Sequence, residues 1–322
     1  MKRIAVLTSG GDAPGMNAAV RAIVRVGLAK GLEVLGVRDG YQGLIEDDIS
    51  FLSARDVGGI MQTGGTFLGS SRCEEFRTVE GREKALDNLR QRYVEALIVI
   101  GGDGSQTGSY ELCEMGYPVV GISSTIDNDL EGTDVTIGVD TAINVVREAI
   151  DRLKITAASH RRAFLVETMG RKCGYVALMA GIAGGAEVVV IPEREIPPEK
   201  VAQELRAAYE RGKRDAVVVV AEGAENDARR LYDCLSDSRE TGFALRVTIL
   251  GHVQRGAKPT AADRLLATRL GEEAVRALLH DKVGELVGIR GDEIVTTPLE
   301  EIIGRQKPID LELFELANIM AQ

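Results

Sequence analysis

The sequence predicts an α/β protein made of two doubly wound, Rossmann-like, three-layer lobes with an active-site cleft between them. Short apolar strand-like runs alternate with helix-length segments along the chain, the pattern of parallel sheets covered by helices. Most of the strand-like runs end in a loop rich in glycine, hydroxyls or charge, and open α/β sheets gather ligands at the carboxyl ends of their strands. At 322 residues and 44% hydrophobic content, the chain can fill one large or two medium cores.

Composition removes several classes of function. With 39 Lys+Arg against 49 Asp+Glu the net charge is −10, so no nucleic-acid partner is expected. No apolar run approaches the ~18 residues of a membrane span, and Ile4-Ala5-Val6-Leu7 leads straight into a glycine loop rather than a leader. Cys73, Cys113, Cys173 and Cys234 show no CxxC spacing and read as reduced thiols of a cytoplasmic protein. Only three histidines are present, too few to favour a His-based zinc site.

Residues 3–8 read as a buried parallel strand, followed by Ser9-Gly10-Gly11-Asp12-Ala13-Pro14-Gly15-Met16-Asn17 and a helix over about 17–30. A strand, a glycine turn and a helix start bring free backbone N–H groups together, which suits an anion. A plain βα turn explains the same residues, since no GK[ST] follows. Arg21 and Arg25 share a helix face at i,i+4, locally the mark of a solvated surface. A strand over 33–38 leads to a loop carrying Tyr41. Gly64-Gly65-Thr66-Phe67-Leu68-Gly69-Ser70-Ser71-Arg72-Cys73 then precedes Phe76, Arg77 and Arg82, a set suited to a polyanion with a planar ring nearby. Cys73 reads as a small packing residue.

A helix over 79–92 and a strand over 95–100 lead into Gly101-Gly102-Asp103-Gly104-Ser105. Glycines around one Asp let backbone approach a triphosphate while the carboxylate holds Mg²⁺ by one or two contacts. After the run 117–122 comes Ser123-Ser124-Thr125-Ile126-Asp127-Asn128-Asp129. In extended backbone Asp127 and Asp129 point the same way. Alone this is an Asp/Asn-rich turn; between a phosphate loop and arginine-bearing loops it reads as a catalytic floor.

Beyond it the pattern predicts a helix over 139–154, a strand over 163–168 and the turn Met169-Gly170-Arg171. A glycine-rich helix to about 184, a strand over 188–192, a helix over 198–211 and a strand over 216–221 ending at Glu222 follow. Residues 224–243 are polar, a helix with loops. A strand over 245–250, the loop Gly251-His252-Val253-Gln254-Arg255-Gly256, a helix over 260–280 and strands over 285–289 and 293–296 close the chain.

Five motifs in order carry a resemblance: Thr8–Asn17, Gly101-Gly102-Asp103-Gly104, Thr125-Ile126-Asp127-Asn128-Asp129, Met169-Gly170-Arg171 and Gly251–Gly256. Together they resemble the bacterial ATP-dependent 6-phosphofructokinase family over nearly the whole chain. The resemblance implies cytoplasmic homotetramers that transfer the ATP γ-phosphoryl to the 1-hydroxyl of fructose 6-phosphate, in glycolysis. It implies an ATP-binding lobe of 1–138 plus 255–304, and a fructose 6-phosphate and effector lobe of 139–254 plus 305–322. It places Gly11, Tyr41, Arg72, Cys73, Phe76, Arg77, Gly102, Asp103, Gly104, Ser105 and Gly108 at ATP, with Asp103 on Mg²⁺. Asp127 takes the role of base, assisted by Thr125, Arg171, Arg72 and Asp103. The sugar phosphate falls to Thr125, Asp127, Arg162, Met169, Gly170, Arg171, Glu222, Arg246, His252 and Arg255, with Arg162 and Arg246 from a neighbouring subunit. An ADP or phosphoenolpyruvate effector falls to Arg21, Arg25, Lys154, Gly185, Glu187, Arg211 and Lys213.

This chain departs from the family pattern in places. Ser123-Ser124 stands where ATP-users read Pro-Gly and pyrophosphate-users Pro-Lys, while Gly104, where pyrophosphate-users carry Asp, favours ATP. Thr63 replaces an Arg, Arg161 a Glu and Asp215 a His. Altered allosteric control is therefore expected, with phosphoenolpyruvate inhibition the part lost. Lys258 has no consequence that can be argued. The alternatives are a pyrophosphate-dependent phosphofructokinase and a non-catalytic, effector-binding regulatory subunit.

Overall fold

The computed structural model describes residues 1–321; Gln322, the last residue of the second predicted lobe, lies outside the described residues. In chain order the elements begin with β1 (Arg3–Thr8), α1 (Met16–Ala29), β2 (Glu33–Val37), α2 (Tyr41–Glu46), β3 (Ile49–Phe51), α3 (Val79–Gln91), β4 (Ala96–Gly101), α4 (Asp103–Glu114) and β5 (Val119–Ser123). Next come α5 (Val139–His160), β6 (Arg162–Thr168), α6 (Tyr175–Gly184), β7 (Val188–Val190), α7 (Pro198–Glu210), β8 (Ala216–Ala221), α8 (Ala228–Leu235), α9 (Ser238–Thr241) and β9 (Ala244–Ile249). The chain closes with α10 (Ala261–Leu279), β10 (Glu285–Arg290), β11 (Glu293–Pro298), α11 (Leu299–Ile302) and α12 (Leu311–Met320).

Two compact units result, Met1–Asp140 with Arg255–Lys307 and Thr141–Gln254 with Pro308 onward. The first holds a seven-stranded sheet in the order β11-β10-β5-β4-β1-β2-β3. Its inner strands are parallel, and only the edge pairs β2–β3 and β10–β11 are antiparallel. Side-chain alternation makes the layers. Ala5, Leu7, Leu35, Leu97 and Val99 pack against Leu44, Leu86, Leu89 and Leu112 on α2, α3 and α4. On the other face Gly27 of α1 lies so close to Val34 that a Cβ there would come within 2.6 Å of a valine methyl. Gly271 of α10 likewise leaves no room against Ala19 and Ala22 of α1.

The second unit holds four parallel strands in the order β7-β8-β6-β9. One face buries Leu165, Val188, Val218 and Val220 against Val201 and Leu205 of α7 and Leu231 of α8. The opposite face is approached closely by Gly181 of α6, beside Val189. Both units are α/β layers with parallel cores, the fold class the sequence predicts. Among the described residues no helix is long and apolar enough to cross a membrane.

Several elements differ from the sequence expectations. Helix α4 starts at Asp103, within the stretch read as a GGDG turn; its glycines and hydroxyls are poor helix formers, but Ser105, Gln106, Ser109 and Leu112 are buried and packing overrides propensity. The Tyr41 loop is the start of α2, and α5 runs to His160 rather than ending near 154. Strand β7 stops at Val190, two residues short of the expected end, because Ile191 bridges back to Arg194. Helices α11 and α12 lie in the C-terminal stretch where only strands were expected.

Candidate active site

Three parallel strands of the first unit, β1, β4 and β5, deliver loops side by side. Ser9 N–H bonds the Ile100 carbonyl (3.0 Å), and Ser124 N–H bonds the Gly101 carbonyl (3.1 Å). A Cβ on Gly11 would lie 2.0 Å from Arg255 Nη1, so the guanidinium in this position packs against a bare glycine. Arg255 is buried and donates to the Asp12 carbonyl at 3.0 Å. The structure thus engages Arg255 with the Gly11 loop.

The 63–73 loop is tied to the same place. Buried Asn17, at the start of α1, donates to Thr63 Oγ1 (2.9 Å) and accepts from Phe67 N–H (2.6 Å). Ser70 Oγ donates to the Gly10 carbonyl at 2.6 Å, leaving Arg72 exposed at the loop's end. Tyr41 and Phe76 stack with ring centroids 3.9 Å apart, and Cys73 packs on the same cluster. The Tyr41 hydroxyl donates to the Ser105 carbonyl (2.6 Å), and Gly108 lacks a Cβ where the Tyr41 ring passes 2.8 Å away. Burial raises the Tyr41 phenol well above its ordinary value, so it stays a neutral donor. Partial burial also raises the Cys73 thiol, which suits packing rather than redox chemistry. Arg77 is exposed and faces Glu74 at 3.3 Å.

At the end of β4, Gly102 caps α4 and Asp103 is its first residue, exposed, with Gly104 beside it in open space. Gly102 approaches Thr125 closely: a Cβ there would be 3.3 Å from Thr125 Cβ. Thr125, Asp127 and Asn128 are all buried, and Asp127 N–H donates to Thr125 Oγ1 at 3.1 Å. Gln106 braces this corner from below, its amide donating to the carbonyls of Gly101 (3.0 Å) and Ile122 (3.2 Å). Gly121 is bare because Gln106 Oε1 stands 2.0 Å from where its Cβ would be. Among the described residues no group of three or more His, Cys, Asp or Glu could hold a metal ion. A lone exposed Asp103 at a helix N-terminus nevertheless fits Mg²⁺, which takes one or two carboxylates and completes its shell with phosphates and water.

In the second unit β6 and β8 end side by side. Glu222 Oε1 accepts from the N–H groups of Arg171 (2.9 Å) and Gly170 (3.3 Å). Arg171 has φ 51°, and a Cβ on Gly223 would overlap its carbonyl at 1.8 Å, so the two turns are interlocked. Met169 is buried while Arg171 and Glu222 are exposed. Arg162 and Arg246 lie on adjacent strands, with Phe164 opposite Arg246 in register; Arg246 and His252 are exposed. The Lys154 ammonium meets the Gly185 carbonyl, and a further cluster is formed by Glu187, Arg211 and Lys213. Buried Glu187 accepts from Lys213 Nζ (3.1 Å) and Val217 N–H (2.6 Å). Arg211 and Lys213 both donate to the Ala321 carbonyl (3.3 and 3.2 Å). A cavity of about 320 Å³ beside them is lined by Glu187, Arg211, Arg194, Lys200 and Phe314. Arg21 and Arg25 belong to α1 of the first unit.

A sequence model of the family described as phosphofructokinase matches residues 3–278. The chain belongs to the phosphofructokinase family. An ATP-dependent 6-phosphofructokinase of Thermotoga neapolitana is 51% identical over 325 residues, covering all of both chains. An ATP-dependent 6-phosphofructokinase 1 of Thermus thermophilus is also 51% identical, again over both full lengths. Among solved structures, phosphofructokinase from Saccharomyces cerevisiae superposes with a TM-score of 0.87 at 41% identity, covering 94% of this chain and 45% of that one. The pyrophosphate-dependent phosphofructokinase of Marinobacter aquaeolei gives the same TM-score at 23% identity, over 97% of this chain and 86% of that one, a likeness of fold alone.

Thr63, where the resemblance leads one to expect Arg, is the partner of Asn17, and it also donates to the Ile60 carbonyl at 2.7 Å. Ser124 is buried and bridges to Ile137. Arg161 is exposed at φ 50°, just before β6. Gln106 and Thr136 carried no signal in the sequence, because their partners lie on other strands or loops.

Proposed function

We propose that the chain is an ATP-dependent 6-phosphofructokinase, phosphorylating the 1-hydroxyl of fructose 6-phosphate in the cytoplasm. The observation that carries this is the corner where Gly102, the cap of the exposed Asp103 helix start, closely approaches Thr125, two residues before buried Asp127. Its support is membership of the family and full-length relatives named for that activity.

In this reading ATP lies along Gly11, Arg72, Cys73, Arg77 and Gly102 to Ser105, its base toward Tyr41, Phe76 and Gly108. Asp103 holds Mg²⁺, which neutralises phosphate charge when bound. Asp127 receives the sugar hydroxyl proton, and Thr125 helps orient that hydroxyl. The timing of the transfer follows from acidities. A hydroxyl near pKa ~16, with water as guide, lies about 12 units above an ordinary aspartate. Full deprotonation before attack would cost roughly 16 kcal/mol. The proton therefore leaves late, with phosphoryl transfer well advanced in a loose transition state. Arg72 and Arg171 neutralise charge that grows on the transferring group.

Arg162, Arg246, His252 and Arg255 grip the sugar phosphate, and Glu222 accepts its hydroxyl hydrogen bonds while holding Met169–Arg171. A homotetramer completes the site, with Arg162 and Arg246 acting in the neighbouring subunit. Arg21, Arg25, Lys154, Gly185, Glu187, Arg211 and Lys213 form the ADP or phosphoenolpyruvate site. Control there is altered, because Asp215 and Arg161 change its charge and that of the subunit contact. Asp127→Asn tests the core of the reading. Turnover with ATP, Mg²⁺ and fructose 6-phosphate should fall at least ~100-fold with sugar-phosphate binding retained; near-normal turnover would refute the role of Asp127.

A further inference from the structure

We propose that Asn128 and Thr136 are a positioning pair that sets the aim of the Asp127 carboxylate, an inference that rests on the role given to Asp127 above. Asn128 sits in left-handed backbone at φ 54°, a region that costs most residues dearly and that Asn tolerates best after glycine. It is 1% exposed, so its amide must find partners inside the protein. Asn128 Oδ1 accepts from Thr136 N–H at 3.0 Å and lies 3.2 Å from Thr136 Oγ1. Asn128 Nδ2 donates to the Asp134 carbonyl at 3.1 Å.

The Thr136 hydroxyl has one proton to give. Its shortest contact, 2.6 Å to the Thr125 carbonyl, takes it, and the Thr136 backbone N–H serves Asn128. Thr136 therefore grips the acidic loop on both sides of Asp127, at the carbonyl of residue 125 and at the side chain of residue 128. Those two anchors hold the loop two residues before and one residue after Asp127, and so restrict the direction of its Cα–Cβ bond.

The segment that carries Thr136 is itself rigidly placed. Ile137 N–H bonds the Ser123 carbonyl (3.1 Å), Gly138 N–H bonds Asp263 Oδ1 (2.8 Å), and Ile289 N–H bonds Thr133 Oγ1 (3.0 Å). Neither Asn128 nor Thr136 is assigned to substrate; both act through Asp127. A misplacement of ~1 Å in a catalytic group can cost 10²-fold in rate, so loss of either anchor is expected to appear in turnover before binding.

The test is steady-state kinetics with ATP, Mg²⁺ and fructose 6-phosphate on Thr136→Val, Thr136→Ser and Asn128→Gly, with melting temperature measured on each. Serine keeps the hydroxyl and valine removes it at equal shape, while glycine keeps the left-handed turn without the clasp. Thr136→Val and Asn128→Gly should lose at least ~10-fold in kcat with both KM values within ~3-fold, and Thr136→Ser should stay within ~2-fold of the wild type. If Thr136→Val does not fold, Asn128→Gly carries the same comparison. Wild-type kcat in Thr136→Val and Asn128→Gly overturns the assignment, as does a uniform rise in KM at unchanged kcat. An inactive wild-type chain overturns the proposed activity instead, and this inference with it.

Discussion

The strand ends of the two units differ in how deeply their polar side chains are buried. In the first unit the loops after β1, β4 and β5 are locked by backbone bonds, close glycine contacts and buried amides, and Thr125, Asp127 and Asn128 are all buried. In the second unit the turns are fixed by the same kinds of contact, the Glu222 carboxylate on two amides, the Glu222 N–H on the Thr168 carbonyl (2.9 Å) and the Gly223 approach to Arg171, but Arg171, Glu222, Arg246 and His252 stand exposed. A buried, over-determined corner suits a group whose aim matters in the transition state. Exposed Arg171 and Arg246 suit an anion that brings its own charge and is released after each turnover.

That contrast can be broken most directly at Gly11. Gly11→Ala puts a methyl 2.0 Å from Arg255 Nη1, so the loop or the guanidinium must move. The displaced atoms are the tip of a flexible side chain, so melting temperature should fall only slightly, but moving them breaks the Arg255 bond to the Asp12 carbonyl, and ATP turnover should drop. An alanine variant with wild-type turnover would show that the first unit is softer than described. Glu222→Gln should be milder. The amide oxygen still accepts from Gly170 and Arg171, but a charge-assisted bond becomes neutral and roughly half as strong. KM for fructose 6-phosphate should rise several-fold, with kcat changed less; the reverse split would move Glu222 into the chemistry.

Much of this was legible in the sequence, for a physical reason. Gly101-Gly102-Asp103-Gly104 and Thr125–Asp129 are contiguous runs in which local backbone freedom and side-chain chemistry point to the same use. Gln106 and Thr136 were silent because each acts on backbone from elsewhere in the chain, at separations of 16 and 11 residues. Helix α4 was hidden for the opposite reason. Its Gly104, Ser105 and Gly108 argue against helix, and burial under the sheet decides.

Two smaller effects sharpen the comparison. Tyr41→Phe removes the hydroxyl that bonds the Ser105 carbonyl, which should cost ~1 kcal/mol of stability, read as a modest fall in denaturant midpoint. A wild-type midpoint would mean that this bond is satisfied otherwise. Altered control should appear as weak inhibition by phosphoenolpyruvate. Strong inhibition at low concentration, relieved by ADP, would contradict the weight placed on Asp215 and Arg161.

The most direct measurement is the initial rate with fructose 6-phosphate and Mg²⁺, comparing ATP with pyrophosphate as donor, in the wild type and in Gly104→Asp. Position 104 faces open space, so the added carboxylate tests the donor site without disturbing the fold. Turnover with ATP alone in the wild type, weakened by Gly104→Asp, is the expected result. Turnover with pyrophosphate would shift the choice of donor to Ser124, and turnover with neither would leave an effector-binding chain without the proposed catalysis.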